Sequence, residues 1–489
     1  MIAAGLILLP VSFFFFTPDP LLGSYSNPLE AEKFYSSQEL ISIKDKNNYN
    51  FPDEYYIEIK TTSSNILNIK EADNLIPMTY KKGLHYQHSY IYQATLTERE
   101  YVELSAMDDI VGIWRMPRPI IPDYDFFLKY ITEGDMDDAM QYSGATQLIS
   151  EGHDGTGTII VIIDNFPEQS YFNDYFPTSW NTRILRYAGG PYDNSAIHGI
   201  MTTSIAATVS PQSKLYLINM AEENYDLVSY FQTMLNLKNQ YPDYNIVSSN
   251  SYVMAGLDYT WDESPANRKI LEVAHNDIIV CFGAGNWGKE GDHDPQWTLD
   301  GGYDERAGNY IEQIGYPAVF NEVISVAGCN AFCDKILTYS SIGPGVDDHD
   351  EPDVSAPTHF DFSYSPYGAS VGTSGSTPFM AGICSLILTN HDPETDRMVG
   401  AIHSSSTDKG ESGFDYEFGY GVVDADKLII GYETWIPTPE NEPFLYGIFS
   451  GLGLIGIGSV CLVYEGKKVN IKRKSHKKDE LRHLFRKRK

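Results

Sequence analysis

Five β-branched residues in a row, Ile159 to Ile163, constrain the fold of this chain more than any other feature. Such a run suits a strand that is buried on both faces, as in a parallel sheet. Helical patterns such as Leu227–Leu237 and Ala266–His275 alternate with further candidate strands: Lys214–Ile218, Asn245–Ser248, Ile278–Phe282 and Val323–Ala327. This alternation predicts a doubly wound α/β domain with a mostly parallel sheet, whose active site lies at the carboxyl ends of the strands.

A small α+β unit is predicted before this domain. Strands are expected at Tyr55–Lys60, Ser89–Leu96 and Ile110–Trp114. Thr97 and Glu100 have the spacing of a capping box, which predicts that a helix begins between the last two strands. The prolines at positions 117, 119 and 122 indicate a linker after this unit.

Both ends of the chain carry apolar segments. Residues 2–16 form an apolar run of 15 residues, which has the length of a signal-peptide core. An uncleaved anchor and a buried segment are the alternatives for this run. The second segment, Phe444 to Tyr464, has 21 residues without a charge, enough to cross a hydrocarbon core of ~30 Å as one transmembrane helix.

The charge changes sign beside the second apolar segment. Residues 465–489 hold 12 Lys and Arg against three Asp and Glu, a net charge of +9, whereas residues 1–464 carry −40. Positive charge marks the cytoplasmic side, so we expect a single-pass protein of the cell membrane with its acidic bulk outside. The basic tail should favour anionic lipids, and the acidic excess argues against nucleic acid as a partner. The alternative is a buried C-terminal helix of a soluble domain.

These features divide the chain into six predicted parts. They are a signal peptide over 1–24, a leader with the α+β domain over 25–122, the α/β domain over 123–430, a linker over 431–443, a transmembrane helix over 444–464 and a basic cytoplasmic tail over 465–489. The linker is short, at most ~45 Å when fully extended, so it would keep the α/β domain close to the bilayer.

Four short motifs place polar side chains at predicted strand ends or helix starts. They are Gly155-Thr156-Gly157 with Asp164 after the strand, His198-Gly199, Gly283-Ala284-Gly285-Asn286, and Gly372-Thr373-Ser374 with Pro378. Each has an ordinary structural alternative, such as a helix N-cap or a glycine-rich turn. Ser374 is expected at a helix start, where free backbone N–H groups favour an oxyanion. Pro378 is expected within the first turn of that helix, where proline is tolerated.

Taken together and in this order, the four motifs resemble those of the subtilase family of serine peptidases, over residues 130–430. The resemblance implies a subtilisin-like fold and hydrolysis of peptide bonds in protein or peptide substrates through an acyl-enzyme. It implies that Ser374 is the nucleophile, that His198 is the general base and that Asp164 orients the imidazole. Asn286 and the backbone N–H of Ser374 would form the oxyanion hole. No cofactor is required for this chemistry.

Several positions depart from the family's pattern. Asn165-Phe166 replace a small hydroxyl residue and Gly, Ile200-Met201 replace Thr-His, and Gly375-Ser376 replace Met-Ala. The departures put substrate preference and rate in doubt rather than the reaction. The segment 247–253 resembles the family's substrate-pairing edge, where Val253 in place of Gly would narrow the first specificity pocket. The implied substrate-binding residues are Ser251, Tyr252, Val253, Gly283, Ala284 and Gly285.

Further features leave alternatives open. Residues 55–119 resemble an inhibitory propeptide, and an attached accessory domain is the other interpretation. Subtilases often bind calcium, and the loop Trp287–Gly315 is acidic, although a solvated loop without an ion is the simpler reading. Cys329 and Cys333 have a spacing that allows a disulfide outside the cell, whereas Cys281 and Cys384 are expected in the core.

Two other function classes compete with a peptidase. A catalytically inactive peptide-binding receptor built on the same fold is the main alternative, and the intact set of four polar residues speaks against it. A lipase-type α/β-hydrolase would need its Asp after the nucleophilic Ser in the chain. Here Asp164 and His198 both precede Ser374, which argues against that class.

Overall fold

The computed structural model describes residues 54–60, 75–82, 85–107, 110–116, 118–120, 131–189, 192–194, 196–220, 226–255, 264–289, 303–304, 309–310, 314–345 and 349–436. The chain divides into two units, Met1–Asn441 and Glu442–Lys489, and all of these residues belong to the first. Within these ranges we find no helix with the length and apolar character that a membrane crossing requires. The predicted signal peptide and the predicted transmembrane helix at Phe444–Tyr464 lie outside the described residues.

The N-terminal part is a four-stranded antiparallel sheet covered by one helix. Its strands are β1 (Glu54–Lys60), β2 (Ile76–Lys82), β3 (His85–Thr95) and β4 (Ile110–Arg115), in the order β2-β3-β1-β4. Helix α1 (Glu98–Ser105) begins at the predicted capping box, in which Thr97 and Glu100 bond reciprocally. Strand β2 was not predicted, because Pro77 and two lysines weaken its pattern; both residue types are typical of an edge strand.

The larger part is built on a seven-stranded parallel sheet. Its strands are β6 (Thr158–Asp164), β7 (Ile184–Ala188), β8 (Lys214–Asn219), β9 (Asn245–Asn250), β11 (Ile279–Gly283), β14 (Ile324–Cys329) and β15 (Val354–Pro357). They lie in the order β15-β14-β11-β9-β6-β8-β7, and every pair is parallel. Short two-stranded pairs join β5 (Arg118–Ile120) with β10 (Val253–Ala255), and β12 (Tyr303–Asp304) with β13 (Asn309–Tyr310). The predicted parallel α/β sheet is confirmed.

Helices cover both faces of this sheet. They are α2 (Met136–Tyr142), α3 (Ala145–Ser150), α4 (Gln169–Tyr175), α5 (His198–Val209), α6 (Leu227–Gln240), α7 (Pro265–Ala274), α8 (Thr373–Ile387), α9 (Thr395–Ser405) and α10 (Ala425–Thr434). Two short 3₁₀ segments, Thr178–Arg183 and Leu388–Asn390, complete the list for the described ranges. The predicted helices at Leu227–Leu237 and Ala266–His275 correspond to α6 and α7.

The core lies on both faces of strand β6, as its sequence predicts. Ile160 and Ile162 point into one apolar cluster with α5 and α8. Their neighbours Ile159, Val161 and Ile163 point into a second cluster with α6 and α7. All five side chains are fully buried, and each contributes about 1.5–3 kcal/mol to the stability of the fold.

The order in which the chain visits the strands indicates where a ligand would bind at the edge of the sheet. From β6 the chain passes to β7 and β8 on one side of the sheet and then returns to β9 on the other side of β6. Ligands of open α/β sheets bind outside the carboxyl ends of the strands at such a switch point. The ends of β6 and β9, at Asp164 and Asn250, therefore mark the expected site.

Candidate active site

A buried carboxylate and a buried imidazole meet at the end of β6. Asp164 is the last residue of that strand and His198 is the first residue of α5. Nδ1 of His198 lies 2.7 Å from Oδ1 of Asp164, and because a carboxylate only accepts, Nδ1 carries the proton. Both residues are buried, and Nε2 of His198 has no hydrogen-bond partner among the residues described. The imidazole is thus oriented with its basic nitrogen free.

Gly199 explains why the helix can begin so close to β6. Its N–H donates to the carbonyl of Asn165 over 3.0 Å. A Cβ at this position would lie 2.5 Å from that same carbonyl oxygen, which no side chain tolerates. A glycine therefore follows His198 for a steric reason. Without a side chain at Gly199 the loop after Asp164 can approach closely, and the hydrogen bond to that loop holds the first turn of α5.

Ser374 is the second residue of α8, and this helix packs against α5. The two helices touch closely, since a Cβ at Gly382 would lie 2.6 Å from Val209. Ser374 contacts Ser251, which follows Asn250 at the end of β9, and Asn250 is paired with Ile163, next to Asp164. The first turn of α8 therefore lies at the same end of the sheet as Asp164 and the start of α5. His198 and Ser374 occupy those first turns. Oγ of Ser374 donates to the carbonyl of Ser251 over 3.4 Å.

The backbone N–H of Ser374 is available to a ligand. Its two neighbours are satisfied, because Thr373 donates to Oδ1 of Asn286 over 2.9 Å and Gly375 donates to the carbonyl of Gly372 over 3.1 Å. No partner for the N–H of Ser374 is found within the described ranges. The first N–H groups of a helix favour negative charge, so this group suits an oxyanion.

The amide of Asn286 is oriented by Thr373, the residue before Ser374. Its Oδ1 accepts from the backbone N–H and from the hydroxyl of Thr373, at 2.9 and 3.2 Å. Because the carbonyl end of the amide is held by two donors, Nδ2 remains as a donor for a ligand. Gly285 supplies the required turn with φ of +105°, a conformation that favours glycine. Nδ2 of Asn286 and the N–H of Ser374 are therefore the two donors that remain for a ligand near the start of α8.

The predicted substrate edge follows β9. Tyr252 is buried, and its hydroxyl donates to Oδ1 of Asn250 over 3.1 Å, while Ser251 donates through Oγ to the carbonyl of Ser374 over 3.0 Å. Next along the chain, β10 pairs antiparallel with β5, with Val253 opposite Ile120. An extended segment thus already lies along this edge. The side chain of Val253 is not described, so the narrowed pocket stays a prediction.

Gly283 and Ala284, two of the predicted substrate-binding residues, make contacts that differ from those of Asn286. Gly283 ends β11, and a Cβ there would lie 3.0 Å from the hydroxyl of Thr377 on α8. Ala284 is buried, and its N–H donates to the carbonyl of Val326 over 2.9 Å. Both residues therefore hold β11 against its neighbours, and their role in substrate binding stays a prediction.

The prediction for Pro378 is wrong. Helix α8 begins at Thr373, which places Pro378 in the second turn rather than the first. Proline there removes the N–H that would bond the carbonyl of Ser374, four residues earlier. That carbonyl accepts from Oγ of Ser251 instead, at 3.0 Å. A side chain from the substrate edge thus compensates for the break in the helix.

Thr202 belongs to this site and was not singled out from the sequence. Its Oγ1 lies 2.8 Å from Oδ2 of Asp164, and its side chain is fully buried. His198 and Thr202 are four residues apart on α5, so they lie on one face of the helix. That spacing was the available signal, but it has meaning only once Asp164 is known to face α5.

The remaining predictions concern metals and thiols. Among the residues that the structure describes, no group of three or more His, Cys, Asp or Glu side chains could hold a metal ion. Most of the acidic loop Trp287–Gly315 lies outside them. Cys329 and Cys333 are free thiols, so the disulfide that their spacing allows is not formed, and they pack with Phe418 and Val422 in an apolar cluster. Cys281 and Cys384 are buried, as expected, and burial raises the pKa of the Cys281 thiol.

Known proteins share this sequence pattern and fold. The model of the Subtilase family (Peptidase_S8) matches residues 82–421. Subtilisin NAT of Bacillus subtilis subsp. natto is 22% identical over 383 residues, 76% of this chain and 88% of that protein. Serine protease AprX of Bacillus subtilis (strain 168) is 23% identical over 344 residues, 60% of this chain and 72% of that protein.

A solved structure resembles the fold. It is that of fervidolysin, a keratinolytic enzyme from Fervidobacterium pennivorans that is related to subtilisin. The alignment has a TM-score of 0.51 at 14% identity and covers 79% of this chain. This chain spans only 61% of fervidolysin, so the likeness concerns the fold alone.

Proposed function

Because the chain belongs to the subtilase family, we propose that it is a serine endopeptidase that acts through Ser374, His198 and Asp164. The observation that carries the proposal is the buried hydrogen bond of 2.7 Å between Asp164 and His198, which leaves Nε2 without a partner. A neutral imidazole held in this tautomer is a general base. Protein or peptide chains are the substrates that the family implies.

The proposed reaction uses groups of this chain at each step. Nε2 of His198 takes the proton of Ser374 as Oγ attacks the peptide carbonyl, and later gives it to the leaving amine. Asp164 stabilises the imidazolium that forms between these transfers. Nδ2 of Asn286 and the N–H of Ser374 bind the oxyanion of the tetrahedral intermediate. Water then takes the place of the amine: it gives a proton to Nε2 of His198 as its oxygen attacks the acyl carbon. The bond between that carbon and Oγ of Ser374 breaks, Oγ receives the proton back from His198, and the acid product leaves.

A fluorophosphonate probe tests this mechanism. It should label the wild-type protein and fail to label Ser374→Ala, which should stay folded but lose peptide hydrolysis. Asn286→Ala should lower kcat by about 10²–10³, because one oxyanion donor is lost. Peptide hydrolysis at the wild-type rate by Ser374→Ala would refute the mechanism.

A catalytically inactive peptide-binding receptor is the second candidate. The observation in its favour is that Oγ of Ser374 donates to the carbonyl of Ser251 and not to His198. A folded wild-type protein that binds peptides and never reacts with the probe would support this candidate over the peptidase.

We further propose that the N-terminal sheet is an inhibitory propeptide. The pairing of β5 with β10 supports this, because it lays the end of that unit along the predicted substrate edge. The enzyme should cut its own chain between Pro117 and Met136, in the linker that follows. Ser374→Ala should then accumulate at full length, whereas the wild-type protein should begin within that range. Wild-type protein from native membranes that begins near residue 25 would identify an accessory domain instead.

The anchoring in the cell membrane is also a proposal, supported by the charge reversal around residues 444–464. Protease added to intact cells should digest the catalytic domain and spare a tag fused after Lys489. A tag that is digested from outside would overturn this orientation. The calcium prediction concerns the loop Trp287–Gly315, and calcium-dependent thermal unfolding would test it.

A further inference from the structure

The carboxylate of Asp164 receives three hydrogen bonds, and they are divided unequally between its two oxygens. Oδ1 accepts from Nδ1 of His198 and from the backbone N–H of Asn165, both at 2.7 Å. Oδ2 accepts from the hydroxyl of Thr202 at 2.8 Å. Within the described ranges Thr202 is the one donor to Oδ2, and Asp164 is fully buried, so no bulk water replaces it.

The hydroxyl of Thr202 has one proton and two acceptors within reach. The carbonyl of Gly199 lies 3.3 Å away, against 2.8 Å for the carboxylate of Asp164. A hydrogen bond to a charged acceptor is the shorter and the stronger of the two kinds. The proton of Thr202 is therefore directed to Asp164.

Thr202, and not the residue after Asp164, supplies the side-chain hydrogen bond to Oδ2 of Asp164. Asn165 contributes only its backbone N–H, and its side-chain Oδ1 is buried without a partner in the described part of the chain. Thr202 instead reaches the carboxylate from α5, the same helix that carries His198. One rigid helix thus fixes the imidazole and the second oxygen of the carboxylate together.

We propose that Thr202 is a positioning residue for the general base: its hydroxyl holds the carboxylate of Asp164 in the plane that orients His198. This inference rests on the proposed peptidase function. Thr202 touches neither the substrate nor Ser374 in this assignment, and it acts only through Asp164.

The hydrogen bond also stabilises the ionised carboxylate. Without it, the negative charge of the buried Asp164–His198 pair is less compensated, so the pair as a whole binds a proton more tightly. Among the residues that the structure describes, Tyr252 also interacts electrostatically with Asp164, and it stays neutral because burial raises the pKa of its phenol well above the usual value. Loss of the Thr202 hydroxyl should therefore move the acid limb of the pH–rate profile to higher pH.

The experiment measures kcat and KM from pH 5 to 10 in four variants of the full chain. Thr202→Val and Thr202→Ala remove the hydroxyl, whereas Thr202→Ser retains it. In Thr202→Val and Thr202→Ala, we expect kcat to fall about tenfold with KM nearly unchanged. The midpoint of the acid limb of the pH–rate profile should move to higher pH by about 0.5–1 unit. Thr202→Ser should restore both quantities. Thr203→Val is the matched control, because the Thr203 hydroxyl is buried without a partner among the described residues.

Each outcome decides the question. A folded Thr202→Val or Thr202→Ala protein with the wild-type acid limb overturns the inference, even where kcat falls, since that pattern marks a packing role. Where Thr202→Val does not fold, Thr202→Ser and Thr202→Ala decide, because they differ by a single oxygen. Failure of the wild-type protein to react with a fluorophosphonate refutes the peptidase proposal itself, and this is measured before any Thr202 variant is compared.

Discussion

The N-terminal sheet is joined to helix α7 by an ion pair that is largely shielded from water. Glu58 on β1 is fully buried, and the side chain of Arg268 is 13% exposed. The guanidinium contacts both carboxylate oxygens, with Nη2–Oε2 at 2.6 Å and Nη1–Oε1 at 3.2 Å. It also lies 5.4 Å from the ring centroid of Trp114. Removal of Arg268 should therefore loosen the N-terminal sheet from the α/β domain.

The loss of stability expected for Arg268→Met comes from the carboxylate of Glu58, which would stay buried without its charged partner. Glu58 would remain buried with Ser89 as a neutral partner, and an uncompensated buried charge costs about 3–5 kcal/mol. The double variant Glu58→Gln/Arg268→Met removes the charge as well as its partner. It should recover at least half of this loss, because a neutral amide is much less costly to bury.

Native-state hydrogen exchange measures this cost directly, in a Ser374→Ala background that prevents self-cleavage. Amides of β1 and β3 should exchange about 10²–10⁴ times faster in Arg268→Met, whereas those of α8 should not change. Lys335→Met is the control, because it removes an exposed ion pair with Glu133 and should cost less than about 1 kcal/mol. Equal losses in the single and the double variant would refute the buried-charge explanation.

Two further predictions concern stability. Arg183 donates to the carbonyls of Ala207, Ser210 and Ser213 at the end of α5. Arg183→Met should therefore lower the free energy of unfolding, measured in urea, by about 2–4 kcal/mol. An unchanged urea midpoint would contradict this prediction. Burial raises the pKa of Glu351, so the native state binds a proton there more tightly and stability falls as pH rises above about 4.3. The melting temperature of Glu351→Gln should fall less steeply over that range, and a parallel pH profile would contradict the assignment.

The sequence was sufficient for the central features of the fold and the site. The run from Ile159 to Ile163 predicted a strand buried on both faces, and the structure places it in the middle of the sheet. Since parallel strands end at one edge, Asp164 and Asn286 could be assigned to one site before any distance was known. The resemblance supplied the roles that we propose for them, which a pattern of burial alone does not contain.

Other features depend on contacts between distant parts of the chain. Strand β7 is only half-buried at the edge of the sheet, so the apolar run that predicts an inner strand is missing. Glu58 is a charged residue within a strand, and its burial follows only from Arg268, 210 residues later. Thr202 looked like one more small residue in a helix, because its partner Asp164 lies 38 residues earlier.

Pro378 shows how a local rule can fail for a reason that serves the site. Proline in a helix interior costs about 3 kcal/mol or more, because one hydrogen bond is lost and the ring meets the preceding turn. Here the freed carbonyl is that of Ser374, and Oγ of Ser251 donates to it. The predicted substrate edge is therefore tied to the turn that carries Ser374, through a carbonyl that an unbroken helix would use for its own hydrogen bond. The exception to helix propensity thus lies where two parts of the candidate site must keep a fixed distance, as expected for a functional position.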